Sequence, residues 1–539
     1  MDPSFYPGLA AQSAIYHPQT VRAYRNNPFI EALPPTLSRE QAQELMAFYP
    51  EYEEEDRQAC AIDAEHMASA LSAIRHPVGI HGELYSRVSR LIRNGYMSRN
   101  PALRTFQAEI NAREALLTGS DGPADALLPP QVRRIGGYIL PGSSAATANG
   151  LTFLGTSGIG KTIAIDMVLG LFPPLILHHE YRGSPLSRVQ IPWIKLDAPS
   201  DGSVLTLADG FFHQLDLVHH MAGLHAEFHD TYLRSRATEK RVPTRIARVA
   251  AQIGLGLFVL DEIQDLSPDR SARLLSFLVQ FANTVGVPVV LIGGLDAFPL
   301  LSKQFRQARR GATEGDLIVS NAEPGTRWRG FCEILWKYQY TRERADLTDA
   351  HVEALYEVSQ GITEFLVIAF KLAQIRAIST NRPKITPGII RSIKDSLAQA
   401  GPALTAVKRG SSFVLDRLSD LTVPRGVETI PFMRGDGPVP PAPAPAEPPV
   451  KKAASKAPDQ DAARSKAPAA RRSPSVPIVP VAPTQETGDQ EPTLLQIVKA
   501  GEEEGLSPHD SLARAGLAGG EVWDRILDAG AADSPQASS

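Results

Sequence analysis

The sequence predicts an α/β fold: a parallel, helix-covered sheet, preceded by a helical N-terminal arm and followed by a helical lid and a disordered tail. Three observations carry that prediction. Short apolar runs at Leu151–Leu154, Ile191–Leu196, Leu255–Leu260 and Val287–Ile292 alternate with longer amphipathic stretches, as buried parallel strands and their crossover helices require. A glycine-rich segment, Gly155–Thr162, follows the first run and opens an apolar helix at Ile163. The third run ends in two carboxylates, Asp261 and Glu262.

Bulk composition sets the frame. The chain has 539 residues, 43% apolar and 21% charged, enough for two or three domains with their own cores. A net charge of −4 and a pI near 6.4 exclude a globally basic nucleic-acid protein but leave room for a local basic surface. Cys60 and Cys332 lie far apart, fit neither a disulfide framework nor a zinc-finger spacing, and read as two buried thiols in a reducing compartment. Met1-Asp2-Pro3 does not open a basic segment followed by an apolar core, so no secretory signal is expected. Apolar stretches such as Val285–Leu295 are too short or too interrupted to span a bilayer, and a cytoplasmic location is expected.

Along the chain, residues 1–135 read as an irregular arm followed by helices, with Ser38 capping a pattern that runs through Leu45 and Phe48. The acidic cluster Glu51, Glu53, Glu54, Glu55 and Asp56 reads as a solvated face or loop. Residues 136–345 carry the strand–helix alternation. Residues 346–433 read as an all-helical lid, with Leu355, Val358, Phe365, Leu366, Phe370 and Leu372 facing its core and Thr386-Pro387 opening its last helix. Residues 434–490 are a Pro/Ala-rich linker; seven basic and two acidic residues between 451 and 472 give it a local charge of +5. A short amphipathic pattern at 491–539 predicts a tethered helical motif that docks a partner or a tail with residual helical propensity.

The glycine-rich segment fits G-x-x-x-x-G-K-[ST] at every fixed position: Gly155, Thr156, Ser157, Gly158, Ile159, Gly160, Lys161, Thr162. Glycines let backbone N–H groups curl around phosphate, and the helix N-terminus adds partial positive charge. Lys161 is placed to reach the β- and γ-phosphates, and the Thr162 hydroxyl to bind Mg²⁺. Asp261, at the C-terminal end of an apolar strand, is the second Mg²⁺ candidate, and Glu262 the group that orients or deprotonates the attacking water. These residues predict an AAA+ P-loop NTPase using ATP and Mg²⁺. A polar sensor residue is expected after Val287–Ile292; Gly293-Gly294 supply no side chain, which leaves Asp296 as the candidate. Lys303, Arg306, Arg309 and Arg310 crowd one segment, and Arg309 or Arg310 is the candidate arginine finger that completes a neighbouring subunit's site. A basic surface helix or a DNA-facing patch is the alternative reading of that segment.

Several separated stretches, together covering residues 15–400, make the chain resemble the TnsC/TniB family of AAA+ ATPases, regulators of cut-and-paste DNA transposition. Tyr24-Arg25-Asn26-Asn27-Pro28 with Ile30-Glu31-Ala32-Leu33-Pro34 is similar to the family's N-terminal arm, and Arg93-Asn94-Gly95-Tyr96 followed by Arg99-Asn100-Pro101 to its GY-x-x-RNP segment. Gln190–Asp197 continuing to Asp201-Gly202-Ser203, Asp261-Glu262-Ile263-Gln264, Ser359-Gln360-Gly361-Ile362 and Gln374–Ile378 extend the likeness. The glycine pair and the long tail are less typical. The resemblance implies a DNA-dependent or DNA-stimulated ATPase that assembles with itself into a ring or helical filament on duplex DNA. It also implies that the assembly passes the target from a TniQ-like selector to transposase subunits, and that hydrolysis dismantles it.

One further feature agrees. Arg234, Arg236, Lys240, Arg241, Arg245 and Arg248 stand within fifteen residues against a single Glu239, enough cations to follow a phosphate backbone without reading bases. Ser203 and Thr206 are candidate neutral phosphate contacts. A solvated helix preceding the Asp261 strand is the plainer reading. Two other functions share the same site chemistry: a DnaA- or IstB-like replication initiator or helicase loader, and an ATP-gated interaction scaffold with incidental hydrolysis.

Overall fold

The computed structural model describes residues 11–103, 106, 133–135, 138–140, 150–234, 242–266, 271–298, 301, 314–397 and 429–433, all within one compact unit, Met1–Pro440. The tail at 434–539 lies outside the described residues. The described strands are β1 (Gln12–Ser13), β2 (Arg133–Ile135), β3 (Tyr138–Leu140), β4 (Gly150–Gly155), β5 (Ile176–Tyr181), β6 (Ser184–Gln190), β7 (Ile194–Asp197), β8 (Phe258–Asp261), β9 (Val289–Gly293), β10 (Asp316–Ser320) and β11 (Ile430–Pro431). The described α-helices are α1 (Pro28–Glu31), α2 (Arg39–Met46), α3 (Ala61–Ala70), α4 (Gly79–Met97), α5 (Lys161–Leu169), α6 (Val204–Met221), α7 (Val242–Gln252), α8 (Ser271–Val285), α9 (Thr326–Leu335), α10 (Asp349–Ser359), α11 (Thr363–Ser379) and α12 (Pro387–Ser392).

Six strands form one sheet in the order β11-β10-β4-β9-β8-β7, every neighbouring pair parallel. All residues of β4, β8 and β9 are buried, because helices cover both faces of a parallel sheet. The four anticipated strands are β4, β7, β8 and β9; the last three start two or three residues later than the apolar runs. Ile191 instead trades backbone hydrogen bonds with Ile253 and Gly256, at 3.1 and 2.9 Å. The strands not anticipated include β10, which pairs with β4, and the β5–β6 hairpin, turned by Arg182 and Gly183 with φ of 53° and 79°. Positive φ at both turn residues matches the twist of a two-residue hairpin.

The Ser38 cap forms as a reciprocal box: Gln41 N donates to Ser38 Oγ at 3.1 Å and Ser38 N to Gln41 Oε1 at 2.9 Å. The helix ends at Met46, and Phe48 lies beyond it, bridged to Arg75 through two backbone hydrogen bonds of 2.9 and 2.8 Å. One reading of the cysteines is corrected: Cys332 is buried, but Cys60 is exposed. It occupies the N-cap of α3, outside the helix's packed face, with Sγ 3.0 Å from Asp63 Oδ2.

The arm is fastened to the sheet by a buried polar knot. Asn27 caps α1, accepting from Phe29 N at 3.1 Å, and its Nδ2 donates to Tyr96 O at 2.8 Å. Tyr96 Oη donates to Gly254 O at 2.6 Å, and Arg99 to Gly95 O at 2.9 Å and Leu255 O at 2.5 Å. Gln190 Nε2 donates to Phe29 O at 2.7 Å, while its Oε1 accepts from His178 Nε2 at 2.9 Å. His178 Nδ1 then accepts from the Tyr16 hydroxyl at 2.9 Å. Phe29 fills the centre, its ring 5.3 Å from Tyr96 and 5.5 Å from His178. A second apolar core joins Ala64, Ala68 and Leu71 near the N-terminus to Trp328, Trp336, Leu355 and Phe370 in the helical segment. Its sequence-predicted members Leu355, Val358, Leu366 and Phe370 are buried, and Phe365 and Leu372 are partly so. Among the described residues, no helix is long and apolar enough to cross a membrane.

Burial pushes the His178 imidazole down to about 4, from an ordinary 6.5, and does the same to His76 and His81. Between those values the unfolded chain binds protons that the folded chain does not. Stability is therefore full above pH 6.5 and declines as pH falls toward 4. Urea unfolding should show that decline, and a His178→Asn variant should start less stable but lose stability less steeply. An equal slope in the variant would contradict the assignment of the neutral, doubly hydrogen-bonded imidazole.

Candidate nucleotide-binding site

The C-terminal ends of the central strands meet on one edge of the sheet. Register places Leu154 opposite Gly293, Leu260 opposite Leu291 and Asp197 opposite Asp261. The loop after β4 and the carboxylates after β8 thus emerge on the same edge, two strand spacings or about 10 Å apart.

The loop itself has the shape its residues imply. Gly158 and Gly160 take φ of 75° and 98°, a left-handed conformation that turns successive N–H groups inward and leads into α5. Lys161 Nζ donates to Gly155 O at 3.0 Å and Thr156 O at 3.1 Å, folding the ammonium over the loop. The helical segment touches the loop directly. Thr363 Oγ1 donates to Ile159 O at 2.7 Å, and Glu364 N donates to Gly158 O at 3.2 Å.

Asp261 is 1% exposed. Its Oδ1 accepts from Glu262 N at 2.9 Å; its Oδ2 is buried, accepts no hydrogen bond, and lies 3.3 Å from Lys195 Nζ. Lys195 also holds Asp166 Oδ1 of α5 at 2.6 Å. Burial works against the Lys195 charge, but the two carboxylates more than offset it and hold its pKa above the ordinary value. Burial likewise raises Asp166 against the pull of Lys195. A buried, hydrogen-bond-poor carboxylate oxygen at the strand end is the donor a hard dication needs, so the residues present fit Mg²⁺.

Glu262 sits at φ 54°, an uncommon conformation for a side-chain-bearing residue, which swings its carboxylate out of the strand line. Gln264 Nε2 donates to Glu262 Oε2, and Gln264 Oε1 accepts from Gly294 N at 2.7 Å. Gln264 thereby links the carboxylate to the end of β9. A Cβ at Gly293 would collide with Ile263 and lie 2.7 Å from Gln264 Oε1, so the glycine pair makes room for Gln264. The Asp296 carboxylate folds back against Gly294.

Two features escaped the sequence reading: Lys195, which tied to nothing nearby in sequence, and Gln264, which stood only inside a motif. Of the other sequence candidates, Arg309, Arg310, Arg236, Lys240 and Arg241 lie outside the described residues, and only the backbone of Arg234 is described. Ser203 caps α6, accepting from Leu205 N at 3.1 Å, and Thr206 donates its hydroxyl to Asp201 Oδ2 at 2.6 Å. Arg245 donates to Tyr232 O from the partly exposed face of α7.

Residues 145–301 match the family model described as AAA domain. The fold is an AAA+ P-loop fold. Two solved structures show distant likeness. The ORC2 protein of Aeropyrum pernix, in ADPNP-ADP complexes, is 15% identical, with 54% of this chain and 67% of that one covered and a TM-score of 0.31. Cdc6p of Pyrobaculum aerophilum is 14% identical, with 56% and 70% covered and a TM-score of 0.33. No curated protein sequence matches the chain.

Replacing Lys195 with Met strands the Asp261 carboxylate in the protein interior without its cation. Breaking a buried pair from one side costs about 3 kcal/mol. The Lys195→Met protein should unfold at lower urea concentration by that amount, and Mg²⁺ should restore part of the loss because a dication replaces the ammonium. Wild-type stability in the variant would contradict the role given to Lys195.

Proposed function

We propose that the chain is an ATPase that binds duplex DNA, assembles there with copies of itself, and couples target selection to a transposase. The observation that carries this reading is spatial. Stretches that resemble the TnsC/TniB family in sequence meet as one fastening: Asn27 on Tyr96, Asn100 Nδ2 on Asn26 O at 2.7 Å, Tyr24 Oη on Asn94 Oδ1 at 2.9 Å, and Gln190 on Phe29. These contacts join stretches as far as 161 residues apart into one structural unit, as expected of segments that belong to a single family pattern.

In the proposed mechanism, the N–H groups of Gly155–Thr162 and the Lys161 ammonium take the phosphates of ATP, Lys161 leaving the Gly155 and Thr156 carbonyls to do so. Thr162 and Asp261 would hold Mg²⁺, which neutralises phosphate charge when bound. Glu262, steadied by Gln264, orients water against the γ-phosphorus and takes its proton; the bond to the bridging oxygen breaks, releasing ADP and phosphate. Arg309 or Arg310 of a neighbouring copy completes the site. Arg234, Arg236, Lys240 and Arg241, with Ser203 and Thr206, follow DNA phosphates. ATP then acts as glue between subunits and hydrolysis as a timer. A TniQ-like selector and transposase subunits are the partners, and the 491–539 tail is the docking element for one of them.

Glu262→Gln should bind ATP normally, lose turnover by about 100-fold or more, and remain on DNA. Gln264→Ala should lower turnover about tenfold with ATP affinity unchanged. Electron microscopy of the protein on duplex DNA should show rings or filaments only with ATP or a non-hydrolysable analogue. Monomers regardless of nucleotide, or unchanged dissociation of Glu262→Gln from DNA, would contradict the proposal.

A further inference from the structure

We propose that Asp209, His213 and His229 bind one transition-metal dication of the zinc class, at a site built from α6 and the chain just beyond it. Asp209 and His213 stand four residues apart on α6 and so share a face. His229 returns to that face after the helix ends. One carboxylate oxygen and one nitrogen from each imidazole all lie within 4.8 Å of one another. The two imidazoles are stacked, 3.9 Å between centroids and 16° between planes, and His229 Nε2 is 2.9 Å from Asp209 Oδ1.

The surroundings hold His229 in a ligand's pose. Its Nδ1 is 3.3 Å from Asp230 Oδ1, so one ring nitrogen meets a carboxylate while the other faces the cluster. That is the outer-shell arrangement that orients a metal-bound histidine and makes it a stronger donor. The backbone is fixed independently: Phe228 N and His229 N donate to Asp216 Oδ1 and Oδ2 at 2.6 and 3.0 Å, through a carboxylate that belongs to no part of the cluster. Two imidazoles and one carboxylate suit zinc, with a fourth position left to water. Ligand atoms about 3.3 Å apart satisfy tetrahedral zinc at its usual bond lengths. All three side chains reach solvent, so small rotations close the cluster to that spacing. An exposed Asp–His pair alone holds a loop weakly; a shared dication would fasten residues 222–230 to α6 firmly. Neither the nucleotide site nor DNA binding enters this inference.

The test uses the full chain, stripped with chelator, held in saturating Mg²⁺ and titrated with Zn²⁺ by calorimetry and with Co²⁺ by visible absorption. One equivalent of each should bind, with a Co²⁺ spectrum of low coordination number. His213→Ala and His229→Ala should each weaken Zn²⁺ binding at least tenfold, while His220→Ala, on the same helix, leaves it unchanged. Circular dichroism checks that each variant is folded, and Asp209→Asn supplies a milder ligand change expected to act in the same direction. Absence of stoichiometric Zn²⁺ binding to the wild type, or equal binding in the folded His213→Ala and His229→Ala proteins, would overturn the proposal.

Discussion

A buried carboxylate, Asp261, sets the terms for the rest of the site. It ends a strand with no exposed residue and carries a charge into a region where charge is costly. Lys195 answers that charge from the neighbouring strand, and Asp166 on α5 holds Lys195 in turn. The helix that opens at the glycine-rich loop is thus tied electrostatically to the strand that ends in Asp261. Moving either would leave an ion without its partner.

The same logic of satisfied buried groups runs through the arm. Residues of α1, α4, β5 and β6 exchange side-chain and backbone hydrogen bonds around Phe29, so the arm is part of the sheet's core. Its polar residues are fasteners: Asn27, Tyr96, Arg99 and Gln190 each donate to a main-chain carbonyl. The helical segment is joined to the phosphate loop by Thr363 and Glu364, which places any change in loop geometry in direct contact with α11. That contact is a short mechanical path between the loop and the second core.

Much of this was legible in the sequence, and the division follows the range of the interactions. The loop from Gly155 to Thr162, the Asp261–Glu262 pair and the four central strands are written in contiguous residues, where pattern and chemistry coincide. The Ser38 cap is equally local. Lys195 and Gln264 were not legible as site residues because their partners lie 29 and 66, and 2 and 30, positions away along the chain. The β5–β6 hairpin escaped because its strands are half exposed and mix polar with apolar residues. His229 reaches Asp209 across 20 positions, beyond any helical spacing. Cys60 reads as a buried thiol from residue type alone, whereas its place at a helix cap leaves it in solvent.

Calorimetric titration with ATP and Mg²⁺ tests the nucleotide site most directly. One ATP should bind per chain, Lys161→Ala should weaken it by tenfold or more, and Asp261→Asn should remove most of the Mg²⁺ dependence while leaving metal-free nucleotide binding in place. ATP binding that neither substitution alters, or no ATP binding by the folded wild-type chain, would contradict a site built on Gly155–Thr162 and the end of β8.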